Sequence, residues 1–517
     1  GYGPGNYQID NPPYWTKYER DRFAVKPMLN THVHNEYLEA AVEGGLIGAL
    51  CFTGFLTASF LYALIMAFGA QDKDRRRLAL TLAACIAGFA IDAVFGFNVH
   101  VPSSAALIFV LTGLVAAMMP RAKGNRVPRL PRLTAAAIVF GAAALTVIAS
   151  LSFLGEVYYQ SAEGARYWKY LDQAYAMLGR AEKFTPWNFR VPRQKAIVAL
   201  EMKRPELAVE DMQRALKLHP NDVKGYIILS KGFSNMAVAA LKSEKGGPVF
   251  EQAVNRAESA AKKALEYCPK LSDGHEMLGT CYHLRARAVS TATPLSDEAR
   301  SLWQRSQEEL QAALENGSEN RVKVNAMMAM AFMALNDAAQ ADRAMQRAAA
   351  ADPTSEEMWR GYLEFAEEFG RWDSLIASLG DALKRLEQDK TTESQARATL
   401  MLRLAEALYR GKKDAAQACD VLTHTLEIAP QRLDVWGAYA FLLEPESRVK
   451  ALQALLEQKL AEAASRGMEM PPVLTIVTKA LQKGAPVLLE CADSIRKLCQ
   501  EAKLEPAERQ RQYGWAV

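Results

Sequence analysis

Residues 174–186, AYAMLGRAEKFTP, are matched further along the chain by residues 208–220, AVEDMQRALKLHP. In both segments small or long apolar side chains stand at the first, fifth and eighth positions, and a proline stands at the end. Residues three and four positions apart share one face of a helix, and a proline ends a helix because it lacks the N–H that the next turn needs. The two prolines are 34 residues apart, so the pattern predicts a helical unit that repeats at that length.

Further copies of this pattern appear later in the chain. They are marked by Ala257, Ala261, Ala264 and Pro269, then Leu278, Gly279 and Tyr282, and finally by Pro353 with Trp359 and Pro430 with Trp436. The pattern resembles the tetratricopeptide repeat, in which small residues let paired helices pack closely and a proline ends the second helix. The resemblance implies an α-solenoid with a concave binding surface. We expect this solenoid over residues 156–445, with one lengthened hairpin around 242–249 and a C-terminal helical cap over 446–517.

The first 155 residues are mostly apolar. Four apolar segments can be drawn, at 44–69, at two places within 78–119 on either side of Pro102, and at 133–155. The first and the fourth contain no charged residue, and a helix needs about 20 apolar residues to cross a bilayer. We therefore predict an extracytoplasmic loop over 1–43 and a membrane domain with four transmembrane helices over 44–155. The expected fold class is all-α, with transmembrane helices followed by an α-solenoid of tetratricopeptide repeats.

Basic residues are concentrated in two loops of the apolar region. Residues 71–77 contain four Lys or Arg and residues 121–132 contain five, whereas the turn at 98–104 contains neither type. Loops rich in Lys and Arg face the cytoplasm in membrane proteins. Four crossings then place residues 32–43, and all of the chain after Gly155, on the extracytoplasmic side. The chain starts at Gly1 inside a glycine-rich loop and without Met, so we expect it to be part of a longer protein.

Composition argues against two other classes of protein. The 62 basic and 58 acidic residues leave a net charge of +4, and the sequence lacks the basic face or stripe that a nucleic-acid-binding domain shows. The seven cysteines form no CxxC pair and no zinc-binding pattern, so small buried side chains are the favoured interpretation. The pair Cys491 and Cys499 is left open as a disulfide.

A polar motif stands directly before the first apolar segment. His34 and Asn35 are followed by nine residues and then by Gly45-Leu46-Ile47-Gly48, and the loop GYGPGNY and the segment YWTKYERDRF precede them. This arrangement resembles the O-antigen ligase and polymerase family, which comprises membrane glycosyltransferases that use polyprenyl-diphosphate-linked glycans. Some members of that family carry a C-terminal tetratricopeptide array. The resemblance covers about the first 155 residues, which correspond to the family's last large extracytoplasmic loop and closing spans.

The resemblance implies a catalytic role for His34, as the group that takes or orients the proton of an acceptor hydroxyl near neutral pH. Cations are needed against the diphosphate leaving group, and Arg20 and Arg22 are the local candidates because guanidinium pairs bidentately with phosphate. A salt bridge of either arginine with Glu19 or Asp21 is the alternative.

Three more polar residues of this region are candidates for the site. Asn35 is assigned to substrate binding, with capping of the following helix as the alternative. Asp92, near the end of the second span, is also assigned to substrate binding, because a carboxylate within a membrane is costly; the alternative is a residue at the wet interface. His32 lies close to His34, but the sequence shows no carboxylates at metal-ligand spacing beside it. The resemblance implies catalysis without a metal or other cofactor.

The sequence therefore predicts a glycosyltransferase of the O-antigen ligase or polymerase type in the bacterial cytoplasmic (inner) membrane. Its expected partners are a polyprenyl-diphosphate-linked glycan, membrane lipid, and an acceptor that is a glycan, a lipid or a protein. A protein partner is expected on the repeat surface, and no nucleic acid. The alternative from another class is a membrane-anchored tetratricopeptide scaffold that recruits cell-envelope proteins without catalysis.

Overall fold

The computed structural model describes residues 11–25, 32–96, 98–118, 132–241, 247–292, 296–388 and 394–429, together with Tyr7 and four single residues between 432 and 439. Within this part of the chain every regular element is helical. The molecule divides into two compact units, Gly1–Ser318 and Glu319–Val517. The predicted cap over 446–517, the cysteine pair within it, and residues 121–131 of the second basic loop lie outside the described residues.

Five helices precede the repeats. They are α1 (Lys17–Val25), α2 (Glu36–Gly69), α3 (Lys73–Asp92), α4 (Pro102–Met118) and α5 (Arg132–Tyr167). The last four overlap the four apolar segments that the sequence predicts, although α2 begins at Glu36 and α5 continues to Tyr167. Among the described residues, two helices, Glu36–Gly69 and Val139–Tyr167, are long and apolar enough to cross a membrane, and Ser103–Met118 is a shorter apolar helix. The arrangement of four transmembrane spans therefore stays a prediction.

Helices α2, α3 and α4 pack against one another through a shared apolar core. Leu56 of α2, Ile86 of α3 and Ile108 of α4 are all buried within it. The opposite faces leave large apolar side chains exposed, among them Ile47 and Phe109. A helix that is apolar on all sides is found either in the core of a large protein or in a membrane.

Helix α2 begins earlier than the apolar segment and is broken where that segment starts. Asn35 caps the helix, since its side-chain oxygen accepts a 2.9 Å hydrogen bond from the N–H of Leu38. Gly45 then leaves the helical conformation, with φ 67° and ψ −168°. A Cβ atom at Gly48 would lie 3.0 Å from the carbonyl oxygen of Ala40. The two motif glycines thus produce a break at the predicted boundary between loop and span.

The first unit continues from α5 into helices that pack as antiparallel neighbours. These are α6 (Leu171–Phe184), α7 (Arg190–Glu201), α8 (Pro205–Leu218), α9 (Val223–Leu241), α10 (Gly247–Tyr267), α11 (Ser272–Ala292) and α12 (Asp297–Glu315). The second half of α5 pairs with α6, where Tyr158 stacks on Phe184 at 5.7 Å between ring centroids. Helices α9 and α10 have 19 and 21 residues, against 12 and 14 in α7 and α8, whereas residues 242–246 of the predicted lengthened hairpin lie outside the described residues.

The second unit has the same construction. Its described helices are α13 (Arg321–Ala334), α14 (Ala338–Ala351), α15 (Glu356–Phe369), α16 (Trp372–Gln388), α17 (Ser394–Ala407) and α18 (Ala415–Ile428), with a short π-helical turn at Leu408–Lys412. Trp359, Tyr362 and Phe365 of α15 are fully buried. They are the largest side chains of the core in this unit.

The residues that define the sequence repeat form the contact between helices. Ala174, Leu178 and Ala181 are completely buried on α6, and their counterparts on α8 are buried to the same degree. Close approach also needs glycine, since a Cβ atom at Gly279 would lie 2.7 Å from Cγ of Leu310. Packing of this kind confirms the predicted helical repeats.

Candidate functional site

The polar loop before α2 is held against the turn between α3 and α4. The N–H of Glu36 donates to the carbonyl oxygen of Ala93 at 2.9 Å, and the Tyr37 hydroxyl donates to the carbonyl oxygen of Ala90 at 2.8 Å. These bonds fix the start of α2 beside the end of α3. The short 3₁₀ turn Asn98–His100, which follows α3, therefore lies close to the start of α2.

Two histidines and two glutamates meet there. Nδ1 of His32 lies 2.8 Å from Oε1 of Glu39. Nε2 of His100 lies 3.5 Å from the same Glu39 oxygen, and Nδ1 of His100 lies 3.4 Å from Oε2 of Glu36. The two imidazole rings are 4.6 Å apart between centroids. We call these four residues the mouth cluster.

Both carboxylates of the mouth cluster are buried, with Glu36 only 3% and Glu39 only 2% exposed. Among the described residues, the ion pairs of both glutamates are with histidines, and no Lys or Arg joins them. A buried charge is costly unless it is compensated. The compensation here comes from backbone N–H groups, from the positive end of α2 and from the imidazoles.

His34 lies two residues from the mouth cluster but outside it. Its side chain is exposed, and its backbone has φ 58°. The other described non-glycine residues with positive φ each come just after the end of a helix, where the left-handed conformation is common. His34 instead precedes a helix. Strained backbone of this kind is concentrated at functional sites, and the catalytic role of His34 stays a prediction.

Arg20 and Arg22 lie on α1, which is a helix docked on the repeats rather than a loop. Thr16 and Glu19 form its capping box, with the Thr16 N–H donating to Oε2 of Glu19 at 2.7 Å. The next acidic residue, Asp21, pairs with Lys270 of the repeat region at 3.2 Å. The alternative, a salt bridge of either arginine with these two acids, does not form within the part of the chain described. A role for the two arginines in binding diphosphate stays a prediction.

The underside of α1 is apolar. Phe23 of α1 and Trp15, two residues before the helix, are 4.7 Å apart between ring centroids, and both are buried against Val223 of α9 and against Cys268 and Leu271 between α10 and α11. The Cys268 thiol also donates to the carbonyl oxygen of Arg20 at 3.2 Å. These contacts join the segment before α2 to α9, α10 and the start of α11.

The two other predicted binding residues have structural contacts. Asn35 is the N-cap of α2, as its alternative interpretation predicts. Asp92 is the exposed last residue of α3, and its carboxylate accepts a hydrogen bond from the side-chain amide of Asn98. Substrate binding by either residue stays a prediction.

Sequence spacing did not reveal the carboxylates that accompany His32. Glu36 and Glu39 are three residues apart, so they share one face of the first turn of α2, and this was the available signal. His100 comes from a different turn, which only the packing of α3 and α4 brings near. The pKa of Tyr7, in the glycine-rich loop, depends in part on Glu39 of the mouth cluster. Burial raises this pKa, and the negative charges of Glu19 and Glu39 raise it further.

A separate groove opens on the repeats, between α8, α9 and α10. Its volume is about 720 Å³. Tyr226 and Leu229 of α9 supply an apolar wall, and Ser259, Lys262 and Glu266 of α10 supply a polar one. Lys262 is paired with Glu258 at 2.6 Å. The groove therefore has an apolar side and a largely neutralised polar side.

The repeated helical hairpins have the order and spacing that the sequence predicts for tetratricopeptide repeats. The chain is similar to a thermophilic TPR protein from Thermus thermophilus (16% identity, covering 41% of this chain and 98% of that one, TM-score 0.33). It is also similar to a tetratricopeptide repeat protein from Parabacteroides merdae (10% identity, 56% and 99% covered, TM-score 0.33). A third similar structure is a human IFIT1 dimer with PPP-AAAA (14% identity, 75% and 93% covered, TM-score 0.31). No protein-family model matches the chain, and no curated protein matches it.

Proposed function

We propose that this protein is a membrane-anchored scaffold. Its tetratricopeptide repeats hold a protein partner beside the mouth cluster, where the apolar helices begin. The observation that carries this proposal is the docking of α1, since Trp15 and Phe23 are buried in the repeat helices. A repeat array that moved freely on a linker would not fix a partner relative to the membrane. Docking of α1 on the repeats is proposed to fix the position of the array relative to the membrane.

The groove between α8, α9 and α10 supports the same function. Stacked helical repeats create extended surfaces on which other proteins bind, and the groove of about 720 Å³ lies on such a surface. Tyr226 lines this groove and also packs against the cluster that receives α1. A partner seated in the groove would thus lie next to the segment that leads to α2.

A photo-crosslinking amino acid at Ser259, inside the groove, tests this proposal in cells. Ser301 is the matched control, because it is a serine on α12 that does not line the groove. We expect a discrete protein adduct from position 259 and none from position 301. Ser259→Trp, which fills the groove, should weaken binding of the captured partner at least tenfold. Equal labelling from both positions, or unchanged binding by Ser259→Trp, would contradict the scaffold function.

A second candidate function is glycosyl transfer of the O-antigen ligase or polymerase type. The specific observation in its favour is the exposed His34 with φ 58°, directly before Asn35 and the broken helix that the motif glycines create. In this reaction the acceptor oxygen bonds to the anomeric carbon, and the bond from that carbon to the lipid diphosphate breaks. The proton of the acceptor hydroxyl passes to the His34 imidazole. Arg20 and Arg22 are proposed to contact the diphosphate.

The full-length protein encoded by the gene, purified in detergent and supplied with polyprenyl-diphosphate-linked glycan and acceptor, tests this second candidate. Loss of a general base costs about 10²–10⁴-fold in rate, so we expect His34→Ala to lose that much transfer while keeping its melting temperature. His424→Ala is the control, since His424 is an exposed histidine in the second unit, where it pairs with Glu427. Transfer by His34→Ala at the wild-type rate would refute the catalytic assignment, and no transfer by the wild type would leave the scaffold function alone.

A further inference from the structure

We propose that the mouth cluster binds one divalent transition-metal ion of the zinc type, through His32, Glu39 and His100, with Glu36 orienting His100. This inference is independent of the scaffold function and of glycosyl transfer. One ligand atom from each of the three residues lies within 4.8 Å of the other two. Two imidazole nitrogens and one carboxylate are the ligand set of many open zinc sites.

Two of the three separations between ligand atoms fit such an ion after a small adjustment, and the third is within 4.8 Å. Zinc bonds to nitrogen and oxygen are about 2.0–2.2 Å long, so tetrahedral ligand atoms lie about 3.3 Å apart. Oε1 of Glu39 lies 2.8 Å from Nδ1 of His32 and 3.5 Å from Nε2 of His100. One of these separations is shorter than about 3.3 Å and the other is longer. The ion would therefore need the His32–Glu39 contact to open by roughly half an ångström.

Each glutamate divides its two oxygens between the backbone and an imidazole. Oε2 of Glu39 accepts the N–H of Val33 at 3.3 Å, which turns Oε1 toward both histidines. Oε1 of Glu36 accepts the N–H of Val99 at 2.6 Å, which turns Oε2 toward Nδ1 of His100. The cluster is thus oriented by bonds from two separate chain segments before any ion arrives.

The position of Glu36 matches the usual support of a metal-bound histidine. A histidine that binds metal through one ring nitrogen normally gives the other N–H to a carboxylate, which fixes the ring. Nε2 of His100 faces the shared Glu39 oxygen, and Nδ1 faces Glu36. Two buried carboxylates also supply the negative charge that a divalent cation compensates.

The two histidines lie at the open side of the cluster. Their side chains are 27% and 33% exposed, whereas those of the glutamates are nearly buried. Three protein ligands with an open side leave the fourth position for water, which is the arrangement of zinc sites that exchange ligands. Imidazole ligands favour zinc-like ions over Mg²⁺ and Ca²⁺, which prefer oxygen.

Metal titration of the full chain in detergent, after treatment with a chelator, tests the proposal. Zn²⁺ is titrated against a chromophoric competitor, and Co²⁺ is used as a second probe because its visible absorption reports coordination number. We expect one Zn²⁺ per chain and Co²⁺ bands of a four- or five-coordinate site. Glu39→Gln and His100→Gln should weaken Zn²⁺ binding at least 100-fold, and Glu36→Gln about 10–100-fold.

Two further variants serve as a control and as a replacement in this titration. His424→Gln removes an exposed histidine that is paired with a glutamate elsewhere, and it should leave the Zn²⁺ affinity unchanged. Should Glu39→Gln fail to fold, His32→Gln replaces it, since His32 is partly exposed. The proposal is overturned if the wild type takes up less than one Zn²⁺, if these variants bind it as the wild type does, or if Mg²⁺ competes equally. In those cases the two imidazoles hold the glutamates without a bound ion.

Discussion

The indole Nε1–H of Trp359 donates a 2.8 Å hydrogen bond to the carbonyl oxygen of Pro353. In the first unit the Tyr226 hydroxyl donates to the carbonyl oxygen of Pro220 at 2.9 Å, and the spacing is again six residues. Both prolines follow the end of a helix, where carbonyl groups lack a partner within the helix. A large side chain with a polar tip, placed at the start of the next helix, supplies a donor to this turn in each of the two repeats.

Trp359→Phe removes this donor together with part of a fully buried ring. We expect the free energy of unfolding to fall by about 2 kcal/mol or more, because a lost hydrogen bond and a small cavity both contribute. Denaturant unfolding monitored by circular dichroism measures the change. Trp372→Phe is the control, since Trp372 is not buried. A loss no larger than that of Trp372→Phe would show that the bond to Pro353 does not stabilise the repeat.

His275 makes the corresponding contact in a third repeat and adds an ion pair. Its Nε2 lies 2.9 Å from the carbonyl oxygen of Pro269, and its Nδ1 lies 2.7 Å from Oε2 of Glu309. The hydrogen bond to Glu309 raises the pKa of His275 above its ordinary value of 6.5, despite the opposing effect of burial. Both ring nitrogens face acceptors, so the folded protein favours the protonated imidazole.

The pH dependence of stability follows from that shift. A raised pKa in the folded state means that the stabilisation is complete below about pH 6.5 and is lost as the pH rises through the folded value. We expect His275→Gln to melt well below the wild type at pH 5.5, and the difference to shrink toward pH 9. Glu309→Gln should remove the same pH dependence. A difference in melting temperature that stays constant with pH would contradict this assignment.

Two helical glycines should respond in opposite directions to alanine. A Cβ atom at Gly279 would meet Leu310 at 2.7 Å, whereas nothing lies within 4 Å of one at Gly179. We expect Gly279→Ala to cost about 1–3 kcal/mol through overpacking, and Gly179→Ala to gain about 0.5–1 kcal/mol through helix propensity. Thermal unfolding of the two variants measures both effects. Equal shifts would mean that α11 and α12 move apart without cost.

The repeats could be predicted from the sequence because their signal is local and recurs. Ala174, Leu178 and Ala181 show the helical period within eight residues, and each copy repeats it. The capping of α2 by Asn35 could also be predicted from the sequence, because a helix cap is a local signal. In contrast, Trp15 and Phe23 gave no periodic signal, so the docking of α1 on the repeats appeared only in the structure.

The mouth cluster is only half visible in the sequence. His32 stands out because it is close to His34, whereas Glu36 and Glu39 look like ordinary acidic residues at the start of a helix. Their partner His100 lies in a turn whose position depends on the packing of α3 against α2 through contacts such as Tyr37 with Ala90. Contacts that depend on long-range packing of this kind cannot be predicted from the spacing of residues in the sequence.

The predicted sidedness can be tested with fusions to a reporter that is active only outside the cytoplasm. The reporter should be active after Val517 and silent at Gly124, because Gly124 lies in a loop rich in Lys and Arg. Activity measured in intact cells, normalised to protein level, gives the result. The reverse pattern would contradict the predicted topology and would place His34 in the cytoplasm, on the wrong side of the membrane for the glycosyl-transfer candidate.

The break in α2 supplies a last test, because two adjacent glycines differ in backbone conformation. Gly45 has φ 67° and ψ −168°, a region that essentially only glycine occupies, whereas Gly44 lies in the first part of the helix with nothing within 4 Å of a Cβ atom. We expect Gly45→Ala to cost about 1–3 kcal/mol, and Gly44→Ala to be neutral or slightly stabilising.

Melting of the two variants in detergent measures the difference. Gly45→Ala should also disturb the mouth cluster, because straightening α2 would rotate the turn that carries Glu36 and Glu39 relative to the apolar segment. Its thermal midpoint should therefore fall below that of Gly44→Ala. A Gly45→Ala protein that melts at or above the wild-type temperature would show that the break at Gly45 is not required by the packed structure, and the first glycine of the motif would then need a different explanation.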